Sequence, residues 1–143
     1  MTSFQTSRHL AASPAAVFAA IRDPARLARW WGPAGCSNRF SVFEFTPGGR
    51  WVFDMVGPDG QVYPNESVFN HIEADREVVV RHACAPHFTL TITLEPEAGG
   101  TRLRWTQVFD DETVARAVAA IVEPANEQNL DRLAAELGAA APA

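Results

Sequence analysis

Apolar side chains recur at every second residue over much of the chain, and this period predicts β-strands. The alternation is weak near the start and strong from residue 39 to residue 109. Turn sequences rich in glycine and proline divide the longer region into six strands. One of these strands is expected to be broken near Pro64. The predicted strands are residues 4–12, 40–46, 50–56, 61–73, 77–83, 87–95 and 101–109.

Two short helices are predicted between the first strand and the second. Ser13 and Asp23 each stand directly before a proline, and this pair of residues is typical of a helix start. The first helix is expected to end near Arg22 and the second near Trp31, where Gly32 and a further proline follow.

The C-terminal region has apolar residues at helical spacing. Pro124 lies in the middle of this pattern, and a proline there removes a backbone donor and interrupts a helix. We therefore expect a short helix over residues 112–122 and a longer one over 124–138. Residues 139–143 are predicted to be a frayed tail.

These elements predict an α+β fold in a single domain, residues 1–143. Hairpin spacing makes the sheet antiparallel, with one polar face toward water and one aromatic face that must be covered. The C-terminal helix is the largest amphipathic element left to cover it. A curved sheet of six or seven strands wrapped around one long helix leaves room for a pocket.

Alternation also identifies the side chains that face this interior. Tryptophan suits a partly polar cavity, because its indole N–H needs a partner when buried. Two histidines and a glutamine share the inward parity, either as hydrogen-bonded core groups or as groups that orient a ligand. The predicted ligand-binding residues are Trp51, Phe53, Met55, Phe69, His71, His82, Phe88, Leu90, Trp105 and Gln107.

Composition excludes several function classes. All 12 basic residues are arginines and the net charge is −5, so nucleic acid is not an expected partner. The absence of lysine excludes Schiff-base chemistry. The four histidines lack metal-ligand spacing, so no metal and no cofactor are expected. The two cysteines are predicted to be free thiols. No signal peptide or membrane span is evident, which favours a cytoplasmic protein without membrane insertion.

Local motifs add a family resemblance that extends from about residue 4 to residue 138. The chain resembles the START-like (SRPBCC, helix-grip) superfamily, and within it the bacterial branch related to the activator of heat-shock-protein ATPase, similar to polyketide cyclases. The segments that carry the resemblance are Ser13-Pro14 through Phe18, Trp30-Trp31-Gly32-Pro33, Pro47-Gly48-Gly49, Gly57-Pro58-Asp59-Gly60, Val78-Val79-Val80, Thr101-Arg102-Leu103 and Asn129-Leu130-Asp131-Arg132-Leu133.

One segment departs from that branch. Many members carry a Gly-Trp pair shortly before the Leu-Asp-Arg-Leu stretch, whereas this chain has EPANEQN at residues 123–129. The resemblance implies that amides here replace a small residue and an indole that face the cavity.

Three functions are compatible with this sequence. The leading expectation is non-catalytic binding of a small hydrophobic or aromatic molecule. The first alternative is a cyclase, dehydratase or hydrolase that uses His82 or His71 as a general base, although no catalytic residue is assigned. The second alternative, implied by the resemblance, is a co-chaperone of a heat-shock ATPase. A homodimer through an exposed strand edge or through Trp30-Trp31 is compatible with all three.

Overall fold

The structure, a computed structural model, describes residues 2–140. Within that range the chain forms seven strands and three helices. In chain order they are β1 (Ser3–Leu10), α1 (Pro14–Arg22), α2 (Pro24–Trp30), β2 (Ser37–Phe43), β3 (Arg50–Val56), β4 (Val62–Glu73), β5 (Glu77–His82), β6 (Phe88–Glu97), β7 (Gly100–Phe109) and α3 (Glu112–Ala140).

The strands form one curved antiparallel sheet in the order β1-β7-β6-β5-β4-β3-β2. Strands β2 to β7 follow one another as hairpin neighbours. Strand β1 completes the sheet by pairing along the whole length of β7, from Ser3 opposite Val108 to Leu10 opposite Thr101. The predicted sheet, and the two short helices after its first strand, are confirmed.

The two short helices begin where the capping sequences predict. The hydroxyl of Ser13 accepts a hydrogen bond from the backbone N–H of Ala16 at 3.1 Å. The carboxylate of Asp23 accepts one from the N–H of Ala25 at 3.0 Å. Each bond satisfies a donor that a helix start leaves without an intrahelical partner. The two caps allow two helices to follow each other directly.

Helix α3 covers the concave face of the sheet and is anchored there in two places. Its C-terminal half places Leu130 and Leu133, both fully buried, in the main aromatic core. Its N-terminal half places Ala115 in a smaller cluster with Phe4 and Phe109. The helix is therefore held at both ends against the sheet by apolar contacts.

Two strand predictions need correction. Strand β2 lies three residues earlier than predicted, because the chain turns at Glu44, whose carboxylate accepts from the N–H of Arg50 at 3.0 Å. Strand β4 is not broken at Pro64. Strand β5 pairs with β4 only from Ser67 onward, so the stretch around Pro64 is bonded to β3 alone. A residue without an N–H is tolerated on such an edge.

Helix α3 is one continuous helix, so the predicted break at Pro124 is wrong. The apolar anchors on both sides of Pro124 hold the helix together despite the missing backbone hydrogen bond. The helix also passes the predicted end at Gly138 and reaches Ala140, while residues 141–143 of the predicted tail lie outside the described residues. Among the described residues no helix is long and apolar enough to cross a membrane.

Replacing Pro124 by alanine is expected to stabilise the protein. Pro124 is exposed, so the change removes little packing, and it restores an N–H that can donate within the helix. The expected gain in the free energy of unfolding is about 1–3 kcal/mol, measured by urea denaturation. Pro58→Ala, in the turn between β3 and β4, is the matched control and should give no such gain. An unchanged or lower stability of Pro124→Ala would contradict a continuous α3.

Candidate functional site

An inner cavity of about 260 Å³ lies between the concave face of the sheet and α3. Side chains from β3 to β7, from α3 and from the loop after α2 surround it. Its walls are mainly apolar and aromatic, and several amides and one imidazole interrupt them. The lining residues are Trp31, Gly32, Phe53, Met55, Asn65, Ser67, Val80, His82, Pro86, Phe88, Leu90, Trp105, Gln107, Asn126 and Asn129.

Most of the residues predicted from alternation are brought together here. Seven of the ten line the cavity: Phe53, Met55, His82, Phe88, Leu90, Trp105 and Gln107. They belong to β3, β5, β6 and β7, whose alternation is uninterrupted in the pairing register. The structure therefore collects them on one concave surface, while their use in binding stays a prediction.

Trp51 and Phe69 lie behind the cavity wall rather than in it. Both are 1% exposed, and their rings stack with planes 4° apart. The Trp51 ring also packs edge-on against Trp31, with centroids 4.9 Å apart. These two side chains are core residues. They pack behind the lining residues and present no surface to the cavity.

His71 does not face the interior, and this part of the sequence prediction is wrong. A bulge at Asn70 shifts the register between β4 and β5, so that Phe69 pairs with Val80 and His71 with Val79. One extra residue reverses which side chains point inward. The His71 side chain is 54% exposed and lies 3.7 Å from the carboxylate of Glu77.

The sequence interpretation missed several polar lining residues. Asn65 and Ser67 share the inward parity of Phe69, so the alternation of β4 is the signal that could have identified them. Asn126 and Asn129 lie three residues apart on α3, which places them on one helix face. The amides of residues 123–129, which the family resemblance pointed to, thus include two that line the cavity.

His82 is the titratable group of the cavity wall. Its Nδ1 lies 2.7 Å from the carbonyl oxygen of Pro86, and its Nε2 lies 2.8 Å from Oδ1 of Asn65. The ring stacks on Phe88 with planes 13° apart. Burial lowers the pKa of His82, although the hydrogen bond to the Pro86 carbonyl acts in the opposite direction. The neutral imidazole is therefore the favoured form at neutral pH.

A pair of amides forms the other polar part of the wall. Asn126 Nδ2 donates to Gln107 Oε1 at 3.1 Å, joining α3 to β7. Gln107 Nε2 has no partner among the described residues. Asn129 is fixed differently, because its Nδ2 donates to the carbonyl of Trp30 at 3.0 Å.

Trp105 carries an unused donor. The residue is 2% exposed and lines the cavity, and its indole N–H has no hydrogen-bond partner within residues 2–140. A buried donor without a partner costs about 1–3 kcal/mol. The N–H of Trp51 is unpartnered as well, but it lies in the core behind the wall. The cavity wall thus has two donors available, the Trp105 N–H and Gln107 Nε2.

Arg132 of α3 closes one end of the cavity by holding the loop between α2 and β2. Its guanidinium donates to five backbone carbonyls, those of residues 29, 31, 32, 33 and 36, at 2.7 to 3.0 Å. Two residues of that loop, Trp31 and Gly32, line the cavity. A cation near the C-terminus of α2 also satisfies carbonyls that the helix leaves free.

A larger groove of about 450 Å³ lies outside the sheet, between the first residues of β1 and α3 around Pro124. None of the ten predicted residues lies in it. Its walls are mostly exposed or half-buried polar side chains. The inner cavity, lined by buried and half-buried aromatic residues with a few convergent polar groups, is the better candidate for a small-molecule site.

A curved seven-stranded antiparallel sheet that wraps one long C-terminal helix, with two short helices after the first strand, defines a START-like domain. Residues 11–138 match the family model described as Activator of Hsp90 ATPase homolog 1-like protein. The chain belongs to this family, as the sequence resemblance predicted.

Solved structures of several bacterial proteins share the fold over nearly the whole chain. A solution structure of an Arthrobacter aurescens protein is 28% identical, covers 98% of this chain and 88% of its own, and has a TM-score of 0.88. A crystal structure of the AHSA1 protein from Silicibacter pomeroyi is 26% identical, with coverage of 96% and 98% and a TM-score of 0.79.

A more distant structure, from Nitrosomonas europaea, is 20% identical with a TM-score of 0.87. It covers 96% of this chain and 95% of its own, and it shows the shared fold alone. A comparison with curated proteins gave no match.

Replacing Arg132 by methionine is expected to destabilise the protein by about 3 kcal/mol or more, because several part-buried carbonyls lose a charged donor. Urea denaturation measures the loss. Arg76→Met is the matched control, since the Arg76 side chain is 75% exposed, and it should change stability by less than about 0.5 kcal/mol. Equal effects of the two substitutions would show that the loop does not depend on Arg132.

The low pKa of His82 predicts a pH dependence of stability. Between its folded and unfolded pKa the unfolded chain binds more protons, so the free energy of unfolding falls as pH falls below about 6.5. Between about pH 7.5 and pH 5.5, the free energy of unfolding of the wild-type protein should fall by up to about 1 kcal/mol more than that of His82→Gln. Urea denaturation at both values tests this. A His82 ring that titrates by NMR above pH 6.5 would contradict the prediction.

Proposed function

We propose that this protein binds a small aromatic or otherwise hydrophobic molecule with at least one hydrogen-bond acceptor, in the inner cavity. The observation that carries the proposal is the unpartnered N–H of Trp105, a buried donor in the cavity wall. An acceptor on a ligand would complete it, and would offset the cost of leaving it unsatisfied.

The cavity size supports a compact ligand. A volume of about 260 Å³ corresponds to roughly nine waters at their share of liquid volume. This suits a molecule of one or two rings. Phe53, Phe88 and Leu90 supply apolar contact surface for such rings.

The polar groups support a neutral ligand with a carbonyl or hydroxyl group. Gln107 Nε2 is a second donor without a partner among the described residues. No carboxylate and no arginine belongs to the described lining, so the wall offers no counter-charge for an ionic ligand. We also propose a cytoplasmic location, which the two free cysteines support.

A catalytic use of the same cavity is the second candidate function. The neutral imidazole of His82 favours it, because a base in the wall of a ligand cavity can accept a proton from a bound molecule. This would place the protein among the cyclase-like or dehydratase-like members of its superfamily.

The binding proposal is tested with 2-naphthol and naphthalene, which share a ring system but differ in the hydroxyl group. Two-dimensional ¹H–¹⁵N NMR reports the indole N–H of Trp105, assigned through Trp105→Phe. We expect 2-naphthol to move this resonance downfield, as a newly formed hydrogen bond does, and naphthalene to move it less.

Gln107→Leu should weaken 2-naphthol binding by up to about tenfold, the equivalent of one hydrogen bond, and should affect naphthalene little. Gln61→Leu, at an exposed turn, is the control for the loss of an amide. If neither compound shifts a cavity resonance up to its solubility limit, the proposed function is wrong.

A further inference from the structure

Cys84 lies two residues after the end of β5 and contacts the cavity residue His82 without itself belonging to the lining. Its Sγ is 3.5 Å from Nε2 of His82 and 3.9 Å from the carbonyl oxygen of Glu66. The thiol is free and half-buried. His82, Asn65 and Pro86 all line the cavity, so a ligand that touches the imidazole at this end would lie close to the sulfur.

The hydrogen bonds of His82 orient its free lone pair. The carbonyl of Pro86 can only accept, so Nδ1 carries the proton of the neutral ring. The lone pair of Nε2 then faces Oδ1 of Asn65, which cannot donate to it, and the thiol of Cys84 is the adjacent group that can. Stacking on Phe88 holds the ring plane in this position.

The surroundings also accommodate the ring after it takes up a proton. Asn65 Nδ2 donates to the carbonyl of Tyr63 at 2.9 Å, which turns Oδ1 of the amide toward His82. A protonated Nε2 would donate to that oxygen while Nδ1 continues to donate to Pro86. Proton transfer from the thiol to the imidazole therefore leaves both ring nitrogens with acceptors, which is the arrangement that activates a cysteine.

We propose that Cys84 is a nucleophilic thiol, with His82 as its base, that captures a cyclic α,β-unsaturated carbonyl compound bound in the cavity. The sulfur forms a bond to the β-carbon, and the electrons of the carbon–carbon double bond move toward the carbonyl. The thiol proton passes to His82 Nε2 and then to the α-carbon. Nothing leaves and no oxidant is needed.

This inference rests on the proposed function, because the electrophile must first occupy the cavity. Its carbonyl oxygen is the kind of acceptor that the N–H of Trp105 and Nε2 of Gln107 lack. An unsaturated carbonyl compound can use both features of the site. Its β-carbon would meet the thiol at one end, and its carbonyl oxygen would accept from the donors on the wall.

The test uses N-phenylmaleimide, a two-ring electrophile of this class, with intact-mass spectrometry to follow adduct formation. Cys36→Ser leaves a thiol only at residue 84, and Cys84→Ser leaves one only at residue 36. We expect the Cys36→Ser protein to react at least about tenfold faster, with a rate that saturates at high reagent concentration. Adding His82→Gln to Cys36→Ser should slow the reaction about 10²-fold, the lower range for loss of a general base.

Two controls separate chemistry from structure. The rate is measured from about pH 5 to pH 9: a base at residue 82 predicts that His82→Gln loses rate most strongly near neutral pH and recovers it in alkali. If His82→Gln does not fold, Asn65→Leu replaces it. Asn65→Leu keeps the base but removes the acceptor for its proton, and it should also slow the reaction near neutral pH.

Iodoacetamide and 2-naphthol distinguish this proposal from the proposed function. Saturating 2-naphthol should slow N-phenylmaleimide by competition and leave iodoacetamide, an acyclic reagent, less affected. If 2-naphthol binds but Cys84 reacts no faster than Cys36, the capture proposal is wrong and the binding proposal stands. If Cys84 reacts fast but its rate neither saturates with reagent concentration nor falls in the presence of 2-naphthol, the proposal of capture within the cavity is wrong.

Discussion

One guanidinium holds the cavity closed at its α2 end. Arg132 reaches from α3 to one carbonyl in the last turn of α2 and to four carbonyls of the α2–β2 connection. That connection supplies Trp31, which packs against both Trp51 and Trp105. The loop has few backbone bonds of its own, so its path depends on this donor. Arg132 is not itself a lining residue, but its substitution would alter the cavity wall by displacing Trp31.

The sequence predicts the sheet well because alternation is a direct record of which side chains point inward. It places Phe53, His82, Leu90 and Trp105 correctly, since β3, β5, β6 and β7 have no register shift between these positions. It misplaces His71, because the extra residue at Asn70 reverses the parity and carries no glycine or proline to mark it. Periodicity fails wherever a bulge has no local sequence signature.

Alternation shows which side chains point inward, but it does not show which of them reach the cavity. Trp51 and Trp105 share an inward parity and are almost equally buried, and in the described part of the chain neither indole N–H has a partner. Only the packing of the neighbouring rings separates them: Phe69 and Trp31 enclose Trp51, whereas Trp105 reaches the cavity wall. A pattern along single strands contains no information on how rings from three strands and a loop pack together.

The position of the cavity follows from the sequence of α3. Valine and alanine residues before Pro124 pack on the small cluster around Phe109, and Leu130 and Leu133 pack in the main core. Between these anchors lies a polar segment in which Asn126 and Asn129 line the cavity. Because these amides do not close the space by apolar packing as the side chains on either side do, the helix spans a gap there. The same segment that interrupts the apolar stripe, and that suggested a broken helix, accounts for the space beneath a continuous one.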